Sequence, residues 1–212
     1  MRVAIAGGHG QIALRLTRLL ADREDEVVSL IRNPDHAEDV REAGGEPVVC
    51  DLEEASEDEL ADAVNGAGAV VFAAGAGPGS GSARKDTMDF GGAAKLIAAA
   101  KRDGISRYLM VSSMGANPDQ EGDETFAVYL RAKGKADAEL QASGLDYTII
   151  RPGRLTDDPG SGRVTLAEQV DRGQVSRDDV AAVLVAALDE PATIGKTLAL
   201  VSGETPIEEA VR

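Results

Sequence analysis

Apolar and polar positions along the chain fall into two alternating patterns. Short β-rich runs at 2–6, 26–31, 46–50, 69–74, 107–111, 146–150 and 196–201 predict strands. Several carry no polar alternation, as expected of parallel strands covered on both faces. Between them, helical spacing at 11–22, 36–43, 57–64, 85–103, 123–143 and 177–188 predicts helices. Ser56 and Ser176 stand at two helix starts with an acid three residues on; Glu59 completes a capping box and Asp179 resembles one. Gly104 and Gly144 read as helix stops. Repeated strand–helix–strand units specify an α/β fold, a doubly wound parallel sheet with right-handed crossovers and helices on both faces. No repeat or linker divides 1–212, so one domain is expected, with a small C-terminal region on the substrate side. The segments 75–85 and 153–173, the second read as long and irregular, follow strand C-termini, where open α/β sheets bind ligands.

A chain of 212 residues buries enough surface to fold without disulfides or a structural metal. Aromatic residues are only 3%, so the core must be aliphatic and each tyrosine needs its own explanation. The formal charge of −15 repels phosphate backbones and anionic lipid, which argues against nucleic-acid and membrane partners. Cys50 is the single cysteine; it excludes an internal disulfide, fits a reducing compartment, and reads as a small buried residue. With two histidines, His9 and His36, no metal site is expected. No run has the length of a membrane span, and the glycines from residue 7 onward break any signal-peptide pattern. These features point to a cytoplasmic protein with a small-molecule partner, and leave monomer and homodimer equally open.

The first strand runs into Gly7-Gly8-His9-Gly10-Gln11-Ile12-Ala13 and then a helix. Glycines there allow a tight turn and close backbone approach to a pyrophosphate, and the helix start at Gln11 and Ile12 offers free N–H groups to an anion. The pattern predicts a dinucleotide site. The second strand ends in Arg32-Asn33 where an NAD site usually carries an acid for the ribose 2′-hydroxyl; a guanidinium suits a 2′-phosphate, so NADP is favoured over NAD. The alternative is that Arg32 faces solvent and Asn33-Pro34 starts the next helix. Asp51, with Leu52 beside it, follows the third strand and either accepts from the adenine amino group or is a loop acid. Ala73, Ala74 and Gly75 end the fourth strand with small residues over which a cofactor can pass. His9 either approaches phosphate or lies exposed.

The fifth strand ends at Ser112-Ser113, and Tyr129 and Lys133 follow four apart in a helical pattern, on one face. A phenol exchanges protons poorly at neutral pH unless a neighbouring ammonium stabilises its anion. A serine hydroxyl from the strand end can bind and orient the substrate oxygen. Tyr129, Lys133 and Ser112 or Ser113 therefore form a candidate catalytic group for hydride chemistry. Arg84 and Lys85 read either as anion attractors or as a solvated helix start, and Asp89 as a surface partner of Lys85.

Residues 7–13, Ser112-Ser113, Tyr129 with Lys133, and the run Ser143-Gly144-Leu145-Asp146-Tyr147-Thr148-Ile149-Ile150-Arg151-Pro152-Gly153 together resemble the short-chain dehydrogenase/reductase superfamily. The likeness is greatest to its small atypical branch of NAD(P)H-binding or epimerase/dehydratase-like proteins, kin to biliverdin/flavin reductases and NmrA-like sensors. That resemblance implies a Rossmann-type domain. It assigns Gly7, Gly8 and Gly10 to the pyrophosphate, Arg32 to the ribose phosphate, Asp51 to adenine, Lys133 to the ribose as well as to catalysis, and Arg151, Pro152 and Gly153 to the nicotinamide side. It implies an NADP-dependent oxidoreductase of a small organic substrate, with a non-catalytic NADP(H) sensor or an NAD(P)-dependent epimerase/dehydratase as alternatives. About 60 residues, 151–212, follow the sixth strand, which is expected to be too few for the substrate lobe of extended epimerases.

Overall fold

The structure is a computed structural model that describes residues 1–77 and 79–212. In chain order the elements are β1 (Arg2–Ala6), α1 (Gln11–Asp22), β2 (Glu26–Ile31), α2 (Ala37–Glu42), β3 (Glu46–Val49), α3 (Glu57–Val64), β4 (Ala69–Phe72), α4 (Ser82–Arg84), α5 (Ala93–Arg102), β5 (Arg107–Val111), α6 (Thr125–Ala142), β6 (Asp146–Pro152), β7 (Arg154–Thr156), β8 (Arg163–Ala167), β9 (Gln174–Ser176), α7 (Arg177–Leu188), β10 (Lys196–Ser202), β11 (Thr205–Pro206) and α8 (Ile207–Ala210). The main sheet runs β11-β8-β10-β6-β5-β4-β1-β2-β3, parallel from β10 to β3, with β8 antiparallel to β10 and to β11. A separate two-stranded parallel ribbon pairs β7 with β9. The arrangement is Rossmann-like, as expected.

Both sheet faces are covered, which explains the continuous apolar runs. Ala4, Ala6, Val28, Leu30, Val70, Phe72 and Met110 pack with α3, α5 and α6 on one side. Val3, Ile5, Val27, Val71, Leu109 and Ile150 pack with α1 and α7 on the other. Alternation of period two is thus present, but both destinations are apolar. Tyr108 is fully buried in the first layer with no partner for its hydroxyl among the described residues, and burial pushes its phenol pKa well up. It is a core residue. Among the described residues no helix is long and apolar enough to cross a membrane.

Local signals act where the chain predicts them. Ser56 and Glu59 form the reciprocal capping box, and Gly104 and Gly144 take positive φ at helix ends. Ser176 caps α7 by accepting from the Asp179 N–H, but the Asp179 carboxylate turns to the preceding loop, accepting from Ser161 and Gly162 N–H at 3.0 and 2.8 Å.

Two expectations need correction. The segment 153–173 is not irregular: it holds β7 and β8, two short strands of mixed burial. The predicted helix 85–103 is not one α-helix either. Its first part, Lys85–Gly92, is π-helical, and only Ala93–Arg102 is α-helical.

Candidate active site

Strand C-termini and helix N-termini meet along one edge of the sheet and leave two adjoining clefts. The glycine loop shapes the first. Gly7 has φ +78°, and a Cβ there would lie 2.6 Å from Ala74 Cα; a Cβ on Gly8 would lie 2.5 Å from Ser29 Cβ. Only glycine lets this turn sit directly on β2 and on the chain leaving β4. The Gly8 N–H is bound by Leu30 O at 2.9 Å and the Gly10 N–H by Gly7 O at 2.8 Å. The first turn of α1 then presents N–H groups that no helical carbonyl can take. The cleft has a volume of about 370 Å³ and is lined by Gly7, His9, Gly10, Arg32, Leu52 and Ala73–Gly77 among others. His9 and His36 stack at its mouth, centroids 3.6 Å apart, and His9 Nε2 is 2.6 Å from Asp39 Oδ2. A cradle of obligatory glycines at a helix start, with a guanidinium at the far end, fits a dinucleotide.

The second cleft, about 520 Å³, shares the wall Ala73–Gly77 and is lined further by Ile12, Lys85, Asp89, Val111, Ser112, Thr125, Phe126, Tyr129, Lys133 and Leu155. Tyr129, Lys133 and Asp137 lie on one face of α6 at four-residue spacing. Lys133 is buried. Its Nζ lies 3.2 Å from Asp89 Oδ1 and donates to Val111 O at 3.2 Å and Ala74 O at 3.3 Å. Burial pulls its pKa down, but the charge of Asp89, with Tyr129 and Asp137 nearby, more than offsets this and leaves it raised. The carboxylate of Asp89 thus favours the charged form of Lys133. Asp89 sits on the π-helical stretch, fully buried, with Oδ2 accepting from the Ala76 N–H at 3.2 Å. π-Helical turns recur at functional sites; here one carries Lys85 and Asp89 inward.

Ser112 is tied to a second buried carboxylate. Its Oγ donates to Asp137 Oδ2 at 2.9 Å, and the same oxygen accepts from Arg151 Nε at 2.9 Å and lies 2.8 Å from Nη2 in an ion pair. Burial pushes the Asp137 carboxyl up, and Ser112, Arg151 and Lys133 offset this only in part. With its hydrogen on Asp137, Ser112 turns oxygen lone pairs, not a donor, towards the cleft. That departs from the expectation that it donates to a substrate oxygen. Tyr129 is half-buried, its ring flanked by Phe126 at 6.0 Å and by Lys85 Nζ at 5.4 Å.

The remaining sequence candidates divide. Gly7, His9, Gly10, Arg32, Leu52, Ala73, Ala74 and Gly75 line the first cleft, and Ser112, Tyr129 and Lys133 the second. Arg32 lies there half exposed, 3.6 Å from Glu53, while Asn33 caps the short turn that leads into α2. Ile12 lines the second cleft; Gly8 and Gln11 line neither. Asp51 does not face the first cleft: its Oδ1 accepts from the Glu53 N–H at 3.0 Å, capping a turn. Ser113 points aside, donating weakly to Met114 O at 3.4 Å. Arg151 is spent on Asp137, Pro152 belongs to β6, and Gly153 packs against Gly173, so none of the three lines either cleft. Lys85 and Asp89 are not a solvated surface pair; both are buried. Sequence reasoning placed Asp89 on the surface and passed over Asp137. The second was within reach, because residue 137 continues the spacing of 129 and 133.

A fold with a glycine cradle at β1–α1 and a tyrosine–lysine face beside it defines a Rossmann-type nucleotide-binding protein. The NAD(P)H-binding family matches residues 7–191, and the chain belongs to that family. It is 41% identical to the uncharacterized sugar epimerase YhfK of Bacillus subtilis, covering 100% of this chain and 99% of that one. A structure from Bacillus halodurans, described as an NAD-dependent epimerase/dehydratase, superposes with a TM-score of 0.92 at 40% identity, covering 100% and 98% of the two chains. ChuY, an anaerobillin reductase from Escherichia coli O157:H7, superposes with a TM-score of 0.80 at 26% identity over 95% and 97%.

Proposed function

We propose that the chain is an NADPH-dependent reductase of a small conjugated organic compound. The observation that carries this reading is the placement of Tyr129, Lys133 and Ser112 in one cleft that shares its wall with the glycine cradle. When bound, the reduced nicotinamide supplies hydride. The chain's own part is to hold and move a proton. In this reading Tyr129 Oη donates to the reduced substrate oxygen, and the ammonium of Lys133 stabilises the phenolate left behind. Ser112 Oγ accepts from a substrate O–H or N–H and so sets its orientation. Arg32 favours the 2′-phosphate of NADPH, and the ChuY likeness supports reductase chemistry.

An NADPH-oxidation screen against carbonyl, quinone and flavin acceptors tests the activity. Tyr129→Phe is expected to lower kcat by about 100-fold or more with little change in NADPH affinity. Full activity in that variant would refute the assignment, and tighter binding of NADH than of NADPH would refute the cofactor preference. A second reading, a non-catalytic NADP(H) sensor, is favoured by the engagement of Lys133 and Ser112 with buried carboxylates. It predicts cofactor binding without turnover on the whole panel. A third reading, an epimerase or dehydratase, predicts tightly kept cofactor and no net NADPH consumption.

A further inference from the structure

Two buried cations line the second cleft, Lys133 and Lys85, and only the first has a carboxylate. Lys133 faces Asp89 at 3.2 Å, and Arg151 faces Asp137 at 2.8 Å. On the neighbouring wall Arg84 faces Glu53 at 2.9 Å. Lys85 is only 9% exposed, and no carboxylate among the described residues pairs with it. Its Nζ donates to the Gly77 carbonyl at 2.9 Å and sits 5.4 Å from the centroid of the Tyr129 ring. A carbonyl dipole and a π face compensate a desolvated ammonium only partly. Asp89, one turn away on the same stretch, is taken by Lys133. Among the described residues the cleft therefore has one lysine on its wall without a carboxylate partner, inside a protein whose formal charge is −15.

The opposite feature lies at the rim. Phe126 is 66% exposed and stacks on Tyr129 at 6.0 Å, while Ile12 and Leu155 complete an apolar lining. We infer that the substrate is an organic anion: a flat, apolar body that lies along Phe126 and Tyr129, with a carboxylate that pairs with Lys85. Lys85 lines the cleft of Tyr129 and Ser112, not the cleft of Gly7 and Arg32, so this charge serves the substrate and not the dinucleotide phosphates. The inference rests on reading the second cleft as the substrate site. It makes Lys85 a specificity-determining residue.

The test uses 2-naphthoate and its neutral isostere 2-naphthamide, titrated into the NADP⁺-saturated full chain near physiological salt. The chain has no Trp, so the probes' own fluorescence reports binding. Naphthoate is expected to bind at least about 10-fold tighter than the amide, the scale of one charge-assisted hydrogen bond. Lys85→Gln should abolish that preference and Lys85→Arg restore most of it, with thermal melts confirming that both variants fold. Equal affinities in the parent protein, or a preference that survives Lys85→Gln, would overturn the proposal. So would absence of naphthoate binding at millimolar concentration. Neither probe is turned over, so these outcomes are separate from the Tyr129→Phe result: the anion preference can fail while the reductase reading stands.

Discussion

Replacing Asp89 by Asn keeps the side chain's shape but removes one charge and one of its two acceptor oxygens, so the amide oxygen can serve the Ala76 N–H or Lys133 but not both. What remains around Lys133 is an ammonium in a buried setting with two neutral carbonyls, at 3.2 and 3.3 Å. Breaking a buried ion pair from one side costs about 3–5 kcal/mol, because the surviving charge stays desolvated. One amide oxygen now faces two donors and the NH2 is turned to the other, so the expected loss falls within that range, about 3–5 kcal/mol, a large share of a typical domain's stability. The sign of its pH dependence is diagnostic. In the parent, the folded pKa of Lys133 is raised, so its contribution is complete below the unfolded value and is lost only as pH rises through the folded one. Without Asp89, burial dominates and the folded pKa falls below the unfolded value. The unfolded state then binds more protons, and the variant gains stability as pH rises towards the ordinary lysine range. Urea unfolding followed by circular dichroism, from about pH 7 to about pH 10, should therefore show a deficit that shrinks with pH. A deficit below about 1 kcal/mol, or one that stays constant, would refute the account of a charge pair buried in the site.

Two further substitutions probe the walls around it. Burial pushes the Glu53 carboxyl up, but Thr87, Arg84 and Arg32 pull it further down, so its folded pKa lies below the ordinary glutamate value. Such a group stabilises the fold above its unfolded pKa and loses that contribution as pH falls through the folded one. Glu53→Gln should thus narrow the gap to the parent as acid unfolding is approached, and a widening gap would contradict the sign. Gly134→Ala brings a Cβ to 2.2 Å from Asn117 C and Pro118 N, both backbone atoms. The helix preference of Ala is worth about 1 kcal/mol, less than overpacking against rigid backbone costs. A fall in Tm is expected, and an unchanged or higher Tm would show that α6 shifts freely.

The sequence pattern located the elements whose environment is uniform. The strands 2–6, 26–31 and 107–111 and the helices 11–22, 57–64 and 177–188 agree with β1, β2, β5, α1, α3 and α7. Apolar runs between capping and stop residues are local facts, and parallel strands in a covered sheet add no ambiguity. The ribbon strands β7 and β9 were not legible, because Arg154–Thr156 and Gln174–Ser176 are too short for any periodicity to register. Lys85 and Asp89 misled for another reason. Two opposite charges four apart look like a solvated pair on any helix. What buries them is α6, which packs over this stretch from distant sequence, together with a π-helical turn that no local residue preference announces.

The same long-range packing explains how a phenol on a helix can be held to a fixed position. Lys133 ties α6 to the carbonyls of Ala74 and Val111 and to Asp89 on the π-helical stretch. Gly134, next in sequence, lets the helix press on Asn117 and Pro118 closely enough that no side chain would fit. Asp137, one turn on, joins Ser112 at the end of β5 to Arg151 in β6. Three successive attachments, to three different parts of the sheet edge, leave α6 little freedom to slide or roll. Preorganisation of this kind lowers the reorganisation needed when substrate and proton donor meet. Tyr129 lies one turn before the first attachment, near enough to inherit its position. The buried carboxylates thus cost desolvation in order to fix geometry, and Lys85, outside both pairs, is the cation that the proposal assigns to the substrate.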